Sequence, residues 1–153
     1  MTINSLPLHP LVIHGAVVFA PIAGLLAVAY LVPGWRHRLR WPLLVAGIAA
    51  AVLVWLAGLT GGSLEGSAAT RAAMATNPVL AAAIHHHEDL AGKLQASTWV
   101  LAALAVGAWW FHHRPGWART ALLALLPVCG VAALVLVVMT GDAGARAVWA
   151  ARA

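Results

Sequence analysis

Four apolar runs, at about 11–32, 41–60, 90–111 and 120–140, constrain this chain more than any other feature. Crossing the hydrocarbon layer of a bilayer takes roughly 20 helical residues, and each run is close to that length. A barrel would instead show short segments of alternating polarity, so the spanning form is helical. Only 8% of the residues are charged and 63% are hydrophobic, whereas soluble domains carry about 25% charged residues. A coat of water-facing side chains cannot be made from so few charges. The sequence therefore predicts an all-α integral membrane four-helix bundle, folded as a single domain over residues 1–153. No basic segment precedes the first run and no clear cleavage site follows it, which predicts that no signal peptide is removed.

The connections are unequal and divide the charge. "PGWRHRLR" joins the first two runs and "HHRPGWART" the last two, while a long link from residue 62 to about 93 joins the halves. The two tight turns hold Arg36, Arg38, Arg40, Arg114 and Arg119 and no acid. Glu65, Glu88, Asp89 and Asp142 fall on the other side with Arg71, Lys93, Arg146 and Arg152, so the net charge of +5 belongs to the turns. The positive-inside rule then predicts cytoplasmic turns and extracytoplasmic termini in a bacterial cytoplasmic membrane. Trp35, Trp41, Trp109, Trp110 and Trp117 cluster near the turns, as an interfacial aromatic belt would. The calculated pI of 11.2 does not indicate nucleic acid, because the basic residues sit between apolar runs. Cys129 is the single cysteine and forms no internal disulfide.

The halves echo each other. Pro33-Gly34-Trp35 recurs as Pro115-Gly116-Trp117, and Thr60-Gly61, at the end of the second run, recurs as Thr140-Gly141 at the end of the fourth. A repeat of two spans preserves orientation, so these offsets predict two tandem helical hairpins about a pseudo-two-fold axis along the membrane normal. Gly15, Gly24, Gly47, Gly58, Gly107 and Gly130 lie in the runs among many alanines. Small residues there allow close helix approach or room for a bound group. Pro21 and Pro127 each remove a backbone donor inside a run and predict kinks.

The chemistry-bearing residues collect at the end away from the basic turns. His9 and His14 open the first run, with Pro10 suited to a first helical turn. "AAAIHHHEDLAGKLQAST" leads into the third run after the Asn77-Pro78 turn signal. On a helix there, His86, Asp89, Lys93 and Ser97 share one stripe, and His87, Ala91, Leu94 and Thr98 the next. Ionisable groups at membrane depth face a bundle interior or a cavity, which draws attention to His14 and His87. His85 and His86 read more simply as interfacial groups.

His9-Pro10-Leu11-Val12-Ile13-His14, followed by Pro21, resembles the opening of a bacterial family of small four-helix membrane proteins of unknown function. Members of that family commonly show His-Pro-x-x-x-His-Phe-Pro. His87-Glu88-Asp89-Leu90-Ala91 is similar to the family's third-span His-x-x-Leu-Gly, and Thr140-Gly141-Asp142-Ala143-Gly144 to its closing turn. Two positions depart from the pattern: Gly15-Ala16 follows His14 in place of Phe-Pro, and Asp142 stands where a histidine is frequent. The resemblance spans nearly the whole chain. It implies a membrane topology and no particular reaction.

Three functional readings remain open on the sequence. The first is a b-type haem near the outer face, between the first and third spans, with His14 and His87 as axial imidazoles, passing electrons to a redox carrier or a membrane complex. A second haem would need His37 with His112 or His113, which read better as parts of basic turns. The second is a copper, zinc or proton site recruiting His9, His86, Glu65 or Asp142. The third is a structural or assembly subunit that self-associates or joins a larger complex. The chain has no nucleotide loop, no H-E-x-x-H and no Gly-x-Ser-x-Gly, so the expectation is no independent catalytic activity.

Overall fold

The computed structural model describes residues 2–3 and 6–151, with side chains over 12–63 and 65–151. A two-residue antiparallel pair, Thr2–Ile3 (β1) with Leu6–Pro7 (β2), precedes an all-helical body. The helices are α1 (Leu8–Ala29), α2 (Arg36–Glu65), α3 (Ala68–Thr76), α4 (Pro78–Trp110) and α5 (Trp117–Ala150), with a 3-10 turn at Pro33–Trp35 before α2. Four of them, α1, α2, α4 and α5, are long and apolar enough to cross a membrane.

These four stand in a square. α1 packs on α2 and α5, α4 packs on α2 and α5, and α1 and α4 face each other across the diagonal. A two-fold rotation carrying the first hairpin onto the second takes α1 to α4 and α2 to α5, and exchanges the two remaining interfaces. The square therefore fits the duplicated hairpin read from the Pro-Gly-Trp repeat.

The partition of side chains is that of a lipid-solvated bundle. Ala16, Ala20, Ala23 and Ala27 form a fully inward stripe on α1, and Leu43, Ala46, Ala50 and Val54 one on α2. Steps of three and four residues keep one helical face turned to the centre. Larger groups such as Val18, Leu25, Val45, Ile48, Val131 and Val135 lie on the outside. Lipid tails are as apolar as leucine, so packing in lipid rewards close backbone approach. Among the described glycines the tightest crossing joins α1 and α5: a Cβ on Gly130 would lie 2.7 Å from the Gly24 carbonyl oxygen, and one on Gly24 would lie 2.8 Å from that of Gly130. A second crossing, of α2 on α4, sets Gly47 against Ala102 and Ala105.

The helices run further than the apolar segments suggest. The 33 and 34 residues of α4 and α5 amount to about 50 Å at 1.5 Å per residue, against about 30 Å of hydrocarbon. The link from 62 to 93 is mostly helix, and Thr140-Gly141 lies inside α5 instead of closing it. Towards the acidic end the helices carry exposed ion pairs one turn apart, Asp89 with Lys93 at 2.6 Å and Asp142 with Arg146 at 2.8 Å. Asn77, the expected turn, joins three elements: its backbone N–H caps α3, its Oδ1 accepts from the Leu80 N–H at 3.0 Å, and its Nδ2 donates to the Ala150 carbonyl. Pro21 and Pro127 sit in unbroken helices.

Candidate metal centre

Two polar regions cap the bundle. At the basic end the chain leaves α1, re-enters as α2, leaves α4 and re-enters as α5. There the Tyr30 hydroxyl lies 2.9 Å from His112 Nδ1, across the diagonal between α1 and the end of α4. The two residues are 82 positions apart, the spacing of the Pro-Gly-Trp repeat, so equivalent positions of the two halves meet at the centre. Arg40 donates to His113 at 3.0 Å, and Arg36 caps the end of α1 through the Tyr30 and Leu31 carbonyls. Burial, then the neighbouring His113, Arg40, His37 and Arg119, hold His112 below the ordinary imidazole range. Trp41 and Trp109 meet edge to face at 5.3 Å, and Arg114 lies over Trp110.

The opposite, acidic end holds the closest cluster of ligand-type atoms among the described residues. Glu65, the last residue of α2, comes together with His85 and Glu88 of α4, and one ligand atom from each lies within 4.8 Å of the others. His85 and Glu88 are one turn apart on α4, with Nδ1 3.4 Å from the carboxylate. Glu88 precedes the apolar stretch that begins at Leu90. Its hydrogen bond with Glu65 holds its carboxyl above the usual range, burial and the Glu65 charge add to this, and His85 opposes it. The carbonyl end of α2 adds negative potential, because no basic residue lies in its last turn. Arg71 instead reaches the Gly66 carbonyl at 2.6 Å.

Helical geometry explains which histidine does what. Successive residues turn by about 100°, so three adjacent histidines point three ways. His85 and His86 are both exposed, His85 with a ring nitrogen near Glu65 of α2, and His87 turns to α5. His87 donates from Nδ1 to the Thr140 carbonyl at 3.0 Å, and its ring lies against Gly144, where a Cβ would come within 3.1 Å of it. Thr140 Oγ1 beside it is buried without a hydrogen-bond partner.

The expected site residues are thus dispersed. His14 is exposed on α1, whereas an inward orientation was expected. The contacts of His87 are with α5, and α1 lies diagonally from α4. His86 is exposed, Asp142 pairs with Arg146 on its own helix, and the side chain of His9 lies outside the described residues. Of the residues expected to hold a metal, Glu65 alone is in the cluster. Sequence reasoning passed over His85 and Glu88 as ligands, although their spacing of three is the signal that sets two groups on one helical face.

Apolar helices of spanning length, a core of small residues and a lipid-facing coat define a multi-pass membrane bundle. The chain belongs to the family described as "predicted membrane protein (DUF2231)", which matches residues 5–153. No curated protein and no solved structure matches it.

Proposed function

We propose that this membrane protein binds a divalent transition metal, of the zinc or copper class, at its acidic end through Glu65, His85 and Glu88. The observation that carries the reading is the convergence of three ligand atoms from two helices within 4.8 Å. Ligands about 2.1 Å from a tetrahedral ion stand about 3.4 Å apart, so closing the cluster needs only side-chain movement. An imidazole with two carboxylates suits zinc and leaves one position open for water or a partner's ligand. Two adjoining carboxylates also need a proton or a cation between them. In the bilayer, the positive-inside rule sets the basic end in the cytoplasm of a bacterial cell and this site on the other face.

Equilibrium dialysis of the purified protein against zinc tests the reading. One ion per chain is expected, with binding lost in His85→Ala and Glu88→Gln and kept in His86→Ala. Equal binding by all four proteins contradicts it.

A second reading, b-type haem for electron transfer, is favoured by one observation. His87 already gives Nδ1–H to a carbonyl, as metal-bound imidazoles do, which leaves Nε2 as the donor. His14 is not turned inward to serve as its partner, and the Gly24–Gly130 crossing leaves no room for a macrocycle at its level. A Soret band in protein expressed with a haem supply, abolished by His87→Ala, is the outcome this second reading requires.

A further inference from the structure

The basic end joins the two hairpins by a bond that one protonation state alone can make. Arg40, near the start of α2, donates from Nη1 to Nε2 of His113, just beyond α4, at 3.0 Å. A guanidinium has only N–H donors and keeps its charge throughout the working pH range. His113 therefore accepts on Nε2 and is neutral in this contact. Its ring is exposed, so protons reach it from water. Arg40 is half-buried, its Nε has no hydrogen-bond partner, and His113 is its one acceptor among the described residues. A proton on Nε2 turns that acceptor into a second donor and sets two positive charges against each other.

Nothing nearby can take up the added charge. Arg36, Arg38, Arg40, Arg114 and Arg119 share this end with no carboxylate, and the described ion pairs all lie at the other. The groups around His113 are basic or neutral. On its own segment His112 meets it edge to face at 4.6 Å, and Arg114 lies over Trp110. From α2 come Arg40 and His37, the latter with its ring centroid 6.1 Å from that of His112. Tyr30 of α1 reaches His112, and the charge of Arg119 in α5 acts on it. The Tyr30–His112 contact can outlast a proton by reversing. The hydroxyl then accepts from Nδ1–H and gives its own proton to the Ala108 carbonyl at 3.5 Å. No reversal is open to Arg40 and His113.

We propose that Arg40 and His113 form a pH-operated latch between the two hairpins, closed while His113 is neutral and released when it takes a proton. Release parts the two turns at the basic end. The bundle stays assembled, because the Gly24–Gly130 and Gly47–Ala105 crossings join the same hairpins deeper in and hold no group that titrates. Imidazole is the side chain whose charge ordinarily changes between about pH 5 and about pH 8. In the orientation that the positive-inside rule gives, the latch responds to acidity in the cytoplasm.

Spin labels on Gly34→Cys and Pro115→Cys, exposed positions of the two turns, test this in a Cys129→Ala background. Pulsed dipolar spectroscopy in lipid nanodiscs reads the distance between them. From about pH 8 to about pH 5 a longer distance should replace much of the shorter one, reversibly and with helix content unchanged. His113→Gln keeps an acceptor for Arg40 and has no charge to gain, so the shorter distance should persist throughout. Arg40→Gln can still donate to His113 but brings no charge, and should blunt the shift as well. His86→Gln, at the other end, should respond as the unsubstituted chain does. One distance at every pH overturns the latch, as does a shift of equal size in His113→Gln. Helix lost in step with the shift means unfolding and overturns it too.

Discussion

At the basic end, pairs of side chains bond each other between helices; at the acidic end, the charged side chains pair within one helix and the crossings to α5 end on backbone carbonyls. Tyr30–His112 and Arg40–His113 tie the first hairpin to the second. His85–Glu88, Asp89–Lys93 and Asp142–Arg146 each span one turn of a single helix. The difference follows from charge. Arginine, tyrosine and histidine can bond across a gap without a carboxylate, and a neutral imidazole accepts from a guanidinium. At the other end the acids are answered locally; His87 and Asn77 reach only carbonyls of α5, and the carboxyl groups that approach each other between helices are Glu65 and Glu88, a pairing that favours a bound cation. Side chains of the two hairpins thus bond each other directly at the basic end, whereas the acidic end leaves two carboxyl groups facing each other.

Substitutions can break or sharpen this contrast. The largest effect is expected at the crossing that holds both ends in register. Gly130→Ala puts a methyl group against the Gly24 carbonyl and against Ala27, at 2.9 Å, and two backbones must part. A loss of about 3 kcal/mol is expected, read as unfolding in a detergent titration, while Gly141→Ala, with nothing near it, should change little. Next is Asn77→Ala, which removes the α4 cap and the tie to the end of α5. It should cost about 1–2 kcal/mol and raise hydrogen exchange at the start of α4.

Tyr30→Phe removes the bond between halves while keeping the ring, and should cost about 1 kcal/mol. Asp142→Asn, which removes a pair within one exposed turn, should cost no more than about 0.5 kcal/mol. Equal losses in the two would erase the contrast. The basic end also predicts a pH dependence. His112 is held below its unfolded value of about 6.5, so its contribution is present above that pH and is lost as the pH falls through the lower, folded value. The melting temperature should therefore fall on acidification below about pH 6.5, and His112→Gln should flatten that part of the curve.

Much of the fold was legible in the sequence because lipid imposes a simple rule on composition. Four long apolar helices cover most of the four runs, with α1 stopping at Ala29 short of the end of the first, and the Asn77-Pro78 boundary and the Asp89–Lys93 pair stand where the residues implied. The repeat offset even equals the separation of the Tyr30–His112 contact. Helix ends were less legible. Hydropathy marks where hydrocarbon stops, whereas hydrogen bonds and ion pairs carry the helix on, through Glu65 in α2 and to Ala150 in α5. The site was least legible. Which of His85, His86 and His87 meets a partner depends on the rotation of α4 about its own axis, and that is set by packing at Gly47 and Gly144. His14 shows the same limit: a histidine near an apolar run need not face inward when it lies close enough to the end of the helix to reach the interface.

Isothermal titration of zinc into the purified protein, its Glu65→Gln variant and its Glu88→Gln variant tests the central claim most directly, because the proposed ligands come from two helices. One saturable site per chain is predicted, weakened at least tenfold by either substitution, with Glu65→Gln on α2 as damaging as Glu88→Gln on α4. Saturable binding that Glu65→Gln leaves unchanged, or no saturable binding at all, would contradict a metal centre shared between α2 and α4.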